Sequence, residues 1–303
     1  MCYLGIDIGG SYIKYAYVNE EYKIIKQWKK PTYLCASVDD FYDYICMDIE
    51  LTRIMSVAIS APGVIDVYGN VKSKAAINVQ IMYKTNIIEE IEKRTNLATF
   101  VLNDAKAAGY WEFQKGNGKG SKSSVYFIIG TGIGGCICDE NGVINGVDGM
   151  AGEFSQLPIH YCGKESKQMA EYASMQALIQ LYKEKSGGLL KDGKTICACY
   201  HNNENVAIEA IDEWCQNICH SLHTIILFYN PEVICIGGGI SEEDWFIEKV
   251  CTTFDAMKIG MIHLATTRIE QCKYHNDANI LGAVLYAKNR SKDTKTSLEM
   301  FEI

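Results

Sequence analysis

Residues 4–18 read LGIDIGGSYIKYAYV, two apolar segments joined by a GGS turn at residues 9–11. Branched and aromatic residues fill both segments, and glycine and serine are residues that tight turns favour. The stretch therefore predicts a β-hairpin, and a third segment at residues 22–27 extends it into an antiparallel meander. An acidic residue, Asp7, stands two positions before the first glycine.

The same pattern returns in the second half of the chain. Residues 125–129 are apolar, a glycine-rich run occupies residues 130–135, and a second apolar segment follows at residues 136–139. Each hairpin then turns at asparagine and acidic residues, which is a weak internal repeat. The repeat predicts two similar α/β halves that face each other, with one glycine turn on each wall of a cleft.

The clearest change of composition falls at residues 115–124, which are rich in glycine, lysine and serine and hold no large apolar residue. Such a segment is typical of a surface loop. We therefore predict an N-terminal α/β domain over residues 1–116 and a C-terminal α/β domain over residues 117–290. A polar tail is predicted at residues 291–303, and the last helix is a candidate to pack back on the N-terminal domain.

The composition is that of a globular protein and excludes several classes. The chain has 303 residues, of which 48% are hydrophobic and 22% charged, and its formal net charge is −8. So acidic a surface predicts no nucleic-acid partner and no attachment to an anionic membrane. No apolar run is long enough to span a bilayer, and the N-terminus does not resemble a signal peptide. The thirteen cysteines lie mostly in apolar runs, which predicts buried thiols in a cytoplasmic protein.

Three glycine turns follow apolar strands, at residues 9–11, 130–135 and 237–239. Glycine lets backbone amides approach phosphate oxygens closely, although a single such turn is usually only a hairpin. Neither a Walker motif nor a dinucleotide-binding motif fits, because a strand and not a helix follows residue 135. A carboxylate beside a phosphate loop needs a cation, so Asp7 is predicted to hold Mg²⁺ through water, with turn capping as the alternative.

Two further places carry polar residues that suit a ligand. Asn103 and Asp104 end a buried strand and begin a helix, where the same residue types also serve as N-caps. Ligands bind at the carboxyl ends of strands in open α/β sheets, so both interpretations stay open. Glu153 follows a segment of small residues, where it is either an acceptor for hydroxyl groups or a solvated loop residue.

These stretches together resemble the ROK family of repressors, open reading frames and kinases, within the actin and hexokinase superfamily of ATPases. The resemblance runs in order along nearly the whole chain. It rests on LGIDIGGSYIKYAYV at 4–18, SAPGVID at 60–66, VLNDAKAAGYWE at 101–112, FIIGTGIGGCICDENGVINGVDGMAGE at 127–153, NPEVICIGGGIS at 230–241 and ILGAVLYA at 280–287. It implies two ribonuclease-H-like α/β domains of the actin-like ATPase type and a sugar kinase that uses ATP and Mg²⁺.

The resemblance also implies a role for each matching position. Asp104 matches the catalytic base that accepts the proton of the sugar hydroxyl. The positions that match sugar ligands are Asn103, Glu153, Asn78 and Gly63. The positions that match ATP-binding residues are Gly9, Gly10, Ser11, Lys14, Thr131, Gly132, Gly237, Gly238 and Gly239, and Asp7 matches the partner of Mg²⁺.

The chain departs from the family pattern just after the sugar-binding segment. The usual Gly-His positions hold Ser155 and Gln156, and the cysteine-rich zinc segment keeps only Cys162, near His160. A tetrahedral zinc site needs four ligands, so we predict no structural zinc. The family's second sugar-binding glutamate would fall at residue 170, which is an alanine, so recognition of the sugar is expected to be atypical.

The resemblance is strongest to a zinc-less branch that includes β-glucoside kinases. It implies transfer of the γ-phosphoryl group of ATP to a hydroxyl, expected to be the 6-OH, of a hexose or a β-glucoside. An N-acetylmannosamine kinase and a glucokinase are the alternatives, and a sugar-sensing regulator without kinase activity is the alternative of a different class. A DNA-binding regulator is disfavoured, because the first phosphate loop begins near residue 5. Family members are often dimers, so a homodimer that binds a small-molecule sugar is expected.

Overall fold

The fold is described over residues 1–162, 165–274 and 277–301 of a computed structural model, with the side chains of 160–162, 165 and 292–301 left aside. The chain divides into two compact units. The first unit comprises Met1–Lys115, Asn141–Ala151 and Asn276–Ile303, and the second unit comprises Gly116–Glu140 and Gly152–His275.

Strands and helices alternate along both units. The strands are β1 (Cys2–Ile8), β2 (Tyr12–Asn19), β3 (Ile24–Pro31), β4 (Ile54–Ala61), β5 (Thr99–Asn103), β6 (Ser123–Ile129), β7 (Ile133–Asp139), β8 (Gly142–Val143), β9 (Pro158–Cys162), β10 (Glu165–Gln168), β11 (Val233–Gly237) and β12 (Arg268–Gln271). The helices are α1 (Val38–Cys46), α2 (Ile87–Thr95), α3 (Asp104–Lys115), α4 (Ala170–Ala173), α5 (Met175–Lys185), α6 (Gly193–His201), α7 (Asn205–Tyr229), α8 (Asp244–Ala256) and α9 (Ala278–Phe301).

The first unit is built on a five-stranded sheet in the order β3-β2-β1-β4-β5. The first three strands form the antiparallel meander, whereas β1, β4 and β5 run parallel to one another. The register pairs Asp7 with Ser60 and Ala61 with Asn103. The carboxyl ends of the three parallel strands therefore share one edge of the sheet, which is where α/β sheets bind ligands.

Helices cover both faces of this sheet. Buried residues of α1 and α2 pack with alternate residues of β1, among them Leu4 and Ile6, on one face. On the other face, Ile280 and Val284 of α9 pack against residues such as Tyr3 and Ala58, with the i, i+4 spacing of an amphipathic helix. A Cβ added to Gly282 would lie 1.8 Å from Ala107 O, so only glycine permits this approach of α9 to α3.

The second unit holds β12-β11-β6-β7 in that order, with β6 and β7 antiparallel and β11 parallel to both β6 and β12. The long helix α7 packs against α4, α5, α6 and α8. Its buried Trp214 donates to the carbonyl oxygens of Ala173 and Ser174 at 3.1 and 3.0 Å, which fixes the junction of α4 and α5. Asn230, in a left-handed conformation with φ 51°, ends α7.

Two of the chain's segments differ from the predicted organisation. Residues 141–151 belong to the first unit, although the boundary predicted from composition assigns them to the C-terminal half. Helix α9 continues to Phe301 and so includes most of the stretch predicted as a polar tail, 291–303. Among the described residues, no helix has the length and apolarity needed to cross a membrane.

Candidate functional site

The first glycine turn is closed by its own backbone. Gly9 N donates to Tyr12 O at 3.0 Å, and a Cβ at Gly9 would lie 2.8 Å from that oxygen. A Cβ at Gly10 would lie 2.8 Å from Ala76 Cβ. Asn78, a predicted sugar ligand, lies beside this turn, and its Nδ2 donates to Gly10 O at 3.0 Å. The turn is therefore held in place by packing and by Asn78, and both glycines are required.

Asp7 lies at the edge of the sheet beside this turn and is buried. Ser60 Oγ donates to its Oδ1 at 2.9 Å, Lys14 Nζ lies 3.6 Å from its Oδ2, and Asn279 is a further hydrogen-bond partner. Burial raises the pKa of the carboxyl, against the lowering effect of these partners. The partners are side chains of neighbouring elements and not amides of the turn, which argues against turn capping.

Asn103 and Asp104 lie where β5 passes into α3. Asn103 Oδ1 accepts from Lys106 N at 3.1 Å, as an N-cap does, and its Nδ2 donates to Gly63 O at 3.0 Å. Gly63 has φ +92° and turns the chain after β4. Asp104 Oδ1 accepts from Ala105 N at 2.8 Å. Because Asn103 caps the helix, capping does not require Asp104.

Lys106 is a buried cation that sequence reasoning missed. Only 1% of the residue is exposed, and its Nζ donates to Gly149 O at 2.6 Å and approaches Asn145 Oδ1 at 3.4 Å. A Cβ at Gly149 would lie 2.0 Å from Ile65 O, so this loop is tightly packed. The lysine joins the start of α3 to residues 145–149. The only signal in the sequence is a lysine among the small residues of a predicted helix.

Glu153 lies in the second unit, at a tightly packed point. Gly152 has φ +85°, and a Cβ at Gly135 would lie 2.0 Å from Gly152 O. Phe154 is buried, and its ring lies 6.2 Å from that of Phe127. Glu153 is thus half-buried between two anchored neighbours, which argues against a freely solvated loop residue.

The second and third glycine turns border one cavity of about 1040 Å³ in the second unit. Gly130 N donates to Gly132 O at 2.9 Å, and Gly130 O accepts from Met175 N at 2.9 Å. Gly238 has φ +95°, and a Cβ there would lie 2.0 Å from Ile129 O. Gly238 is therefore required by the backbone.

Several residues that line this cavity were not predicted from the sequence to be site residues. Thr131 and Gly239 line it, as do residues of α6 and Trp245 at the start of α8. Gly132, Gly237 and Gly238 are not among its lining residues, although they belong to the same turns. The sequence carries no motif for α6, because its lining residues are of mixed chemical types and show no spacing typical of a ligand site.

A zinc site is not seen in the part of the chain that the structure describes. There, no group of three or more His, Cys, Asp or Glu residues could hold a metal ion. The side chains of His160 and Cys162 lie outside the described ones, so the absence of zinc stays a prediction. The roles assigned to the individual site residues also stay predictions.

Comparison with known proteins gives a consistent picture. The model of the ROK family matches residues 3–290. A β-glucoside kinase of Listeria innocua is 28% identical over 288 residues, covering 92% of this chain and 95% of its own. A glucokinase of Streptomyces coelicolor is 26% identical over 312 residues, covering 94% and 97%. A solved ROK family protein of Streptococcus pneumoniae, in complex with sucrose, is 25% identical with a TM-score of 0.86, covering 97% and 100%. The predicted family and α/β fold are thereby confirmed.

Proposed function

The chain belongs to the ROK family, and we propose that it is a kinase that transfers the γ-phosphoryl group of ATP to a hydroxyl, the 6-OH, of a hexose or a β-glucoside. The observation that carries the proposal is the shared edge of the first sheet. Asp7 and the first glycine turn stand at the end of β1, and Asn103 and Asp104 stand at the end of β5, two strands away. The groups that we propose to bind phosphate and to activate the hydroxyl thus lie on the edge where such sheets bind ligands.

Asp104 acts as the general base in this proposal. Its carboxylate accepts the proton of the sugar hydroxyl as the oxygen attacks the γ-phosphorus. Since Asn103 already caps α3, the start of the helix does not depend on the carboxylate of Asp104. Its backbone is fixed by the end of a buried strand, which suits a group that must be positioned accurately.

In the first unit, Asn103 and Gly63 are proposed as sugar ligands, and in the second unit Glu153 is proposed as a sugar ligand. The Asn103 amide is bonded to Gly63 O, so these two residues form one unit of the site. Glu153 supplies a charged acceptor for neighbouring hydroxyls. Asn78 acts more indirectly, because its amide donates to the backbone of the first glycine turn and so orients that turn.

ATP is proposed to occupy the cavity of the second unit. Part of the cavity wall is apolar and suits a nucleobase, and it is formed by Trp245, Met175 and Ile240. Asp192, Glu242, Glu243 and Lys194 also line the cavity and supply polar groups for the nucleoside. In the first unit, the proposed ATP ligands are Gly9, Gly10, Ser11 and Lys14. In the second unit, they are Thr131, Gly132, Gly237, Gly238 and Gly239.

Mg²⁺ is proposed to bind beside Asp7 through water. The raised pKa of this buried carboxyl fits such a role, because a nearby cation would offset the cost of burying its charge. When bound, the ion would neutralise charge on the phosphates. Lys14, with its ammonium 3.6 Å from Asp7, would stand beside the same phosphates.

The test is ADP release with purified protein, ATP and Mg²⁺, measured with glucose, a β-glucoside and N-acetylmannosamine in turn. We expect ADP release that depends on at least one sugar. The sugar with the highest kcat/KM decides between a β-glucoside kinase, a glucokinase and an N-acetylmannosamine kinase. Binding of sugar without any sugar-dependent turnover would contradict the proposal and favour a sugar-sensing regulator.

We further propose a cytoplasmic homodimer that binds neither nucleic acid nor membrane. The acidic balance of the chain, with a net charge of −8, and the resemblance to dimeric sugar kinases support this. Light scattering of the purified protein measures the mass and so tests the dimer.

We expect the purified protein to hold no stoichiometric zinc. Two ligands, His160 and Cys162, cannot complete a tetrahedral site, and Ser155 and Gln156 replace the usual Gly-His pair. Elemental analysis after dialysis against a mild chelator measures the metal content. One zinc ion retained per chain would contradict this prediction.

A further inference from the structure

A lysine and a cysteine in the second unit lie in direct contact outside the proposed catalytic residues. Lys191 Nζ donates to Cys199 Sγ at 2.9 Å. The Glu204 carboxylate lies 3.4 Å from the same ammonium, and the ammonium also lies 5.2 Å from the centre of the Tyr182 ring. An amine, a thiol and a carboxylate are thus brought together at one point.

The contacts within this cluster favour the charged forms of Lys191 and Glu204. The hydrogen bond to Cys199 is the largest cause of a raised pKa at Lys191, and the pKa of Glu204 is lowered by its contacts with Cys199 and Lys191. The Lys191 ammonium contacts the Cys199 sulfur directly, and a cysteine reacts with oxidants through its thiolate form. Cys199 is 5% exposed, while the Lys191 and Glu204 side chains beside it are 28% and 45% exposed. The cluster therefore lies just beneath the surface.

We propose that Lys191 and Cys199 form a covalent nitrogen–sulfur crosslink when the protein meets hydrogen peroxide. The proposal is independent of the kinase activity, because it concerns side chains that are not assigned a role in phosphoryl transfer. It makes this pair an oxidative modification site at the edge of the nucleotide cavity.

The reaction balances with one molecule of peroxide. The Cys199 thiolate attacks one peroxide oxygen, the O–O bond breaks, and a sulfenic acid and water form once a proton is taken from solvent. Lys191 loses its proton to water, and its neutral nitrogen attacks the sulfenic sulfur. The N–S bond forms as the S–O bond breaks, and hydroxide leaves as water. The sulfur loses two electrons, which reduce the peroxide, and the net products are the crosslink and two waters.

The position of the pair connects it to the cavity. Lys191 precedes Asp192, whose carboxylate caps α6 by accepting from Thr195 N at 2.8 Å. Cys199 lies near the other end of α6, and residues of this helix such as Cys197 line the cavity. The crosslink would therefore join the two ends of α6 and restrict the movement of the cavity wall.

The experiment is peptide mapping of the whole protein before and after hydrogen peroxide at mildly alkaline pH. We expect a linked species that contains Lys191 and Cys199, lacks two hydrogens, and resists tryptic cleavage after Lys191. A second peroxide that inserts one oxygen between nitrogen and sulfur adds that oxygen to the mass, with one more water released, and supports the same crosslink. Dithiothreitol should restore the original peptides.

Matched variants locate the link. Cys197→Ser, two residues away on the same helix, should leave the crosslink intact, whereas Cys199→Ser and Lys191→Met should abolish it. Peptide mapping of the wild-type protein tests the proposed crosslink even if a variant folds poorly. The proposal is overturned if Cys199 is converted to its sulfinic acid while trypsin still cleaves after Lys191, or if no change at Cys199 accompanies oxidation of other cysteines.

Discussion

Replacing Asp104 by asparagine is expected to lower kcat for sugar phosphorylation by about 10²–10⁴-fold, because an amide cannot accept the proton of the attacking hydroxyl. The change is nearly isosteric, and Asn103 continues to cap α3 through Lys106 N. Binding of ATP and of the sugar should therefore stay mostly intact. Steady-state kinetics with the best sugar, together with calorimetric binding of each substrate, measure the two effects separately.

The matched control is Asp48→Asn. Asp48 is exposed and has φ 63°, a conformation that asparagine tolerates as well as aspartate does. This variant should keep the wild-type kcat. If Asp104→Asn keeps more than about a third of kcat, transition-state stabilisation does not depend on the carboxylate, and the general-base mechanism is wrong.

The two glycine-turn hairpins were predictable because the forces that form them are local. Strand propensity, turn residues and apolar pattern all fall within residues 4–18 and again within 125–139. The structure pairs β1 with β2 and β6 with β7 in antiparallel register. Strands β4 and β5 run parallel to β1 and complete the edge of the first sheet, and their apolar runs are typical of parallel strands covered on both faces.

The helical region after the second hairpin was harder to predict. Periodicity indicates one helix over residues 168–185, but Ser174 interrupts it and caps α5 by accepting from Ala177 N at 3.2 Å. Helix α6 was not predicted, because glycine, threonine and cysteine are poor helix formers. Its stability comes from the local Asp192 cap and from the burial of Ile196, and the burial depends on tertiary packing.

The supporting contacts of the site could not be predicted at all. The Lys106 ammonium donates to the carbonyl oxygen of Gly149, which lies 43 positions later in the chain. Asn78 holds a turn that lies 68 positions earlier. No local pattern encodes such long-range pairs. The resemblance placed Asn78 near the sugar, whereas its hydrogen bonds connect it to the backbone of the glycine turn.

Replacing Glu153 by glutamine is expected to raise KM for the sugar roughly 10- to 100-fold and to change KM for ATP little. Loss of a charge-assisted hydrogen bond costs about 1.5–3 kcal/mol, which corresponds to that range. The effect should be large because position 156 is a glutamine and not the histidine usual in the family, so fewer groups share the sugar. Steady-state kinetics with each substrate varied in turn measure both KM values.

Gly152 and Phe154 anchor the backbone on either side of Glu153, so the variant is expected to report on sugar binding. The control is Glu209→Gln, an exposed position on α7 where the same loss of charge should leave both KM values unchanged. Equal rises in both KM values for Glu153→Gln, together with a lower Tm, would assign the carboxylate a role in folding. Loss of binding energy between the enzyme and the sugar raises KM for the sugar. If both KM values stay unchanged, Glu153 is a solvated residue and the charged acceptor of the sugar lies elsewhere.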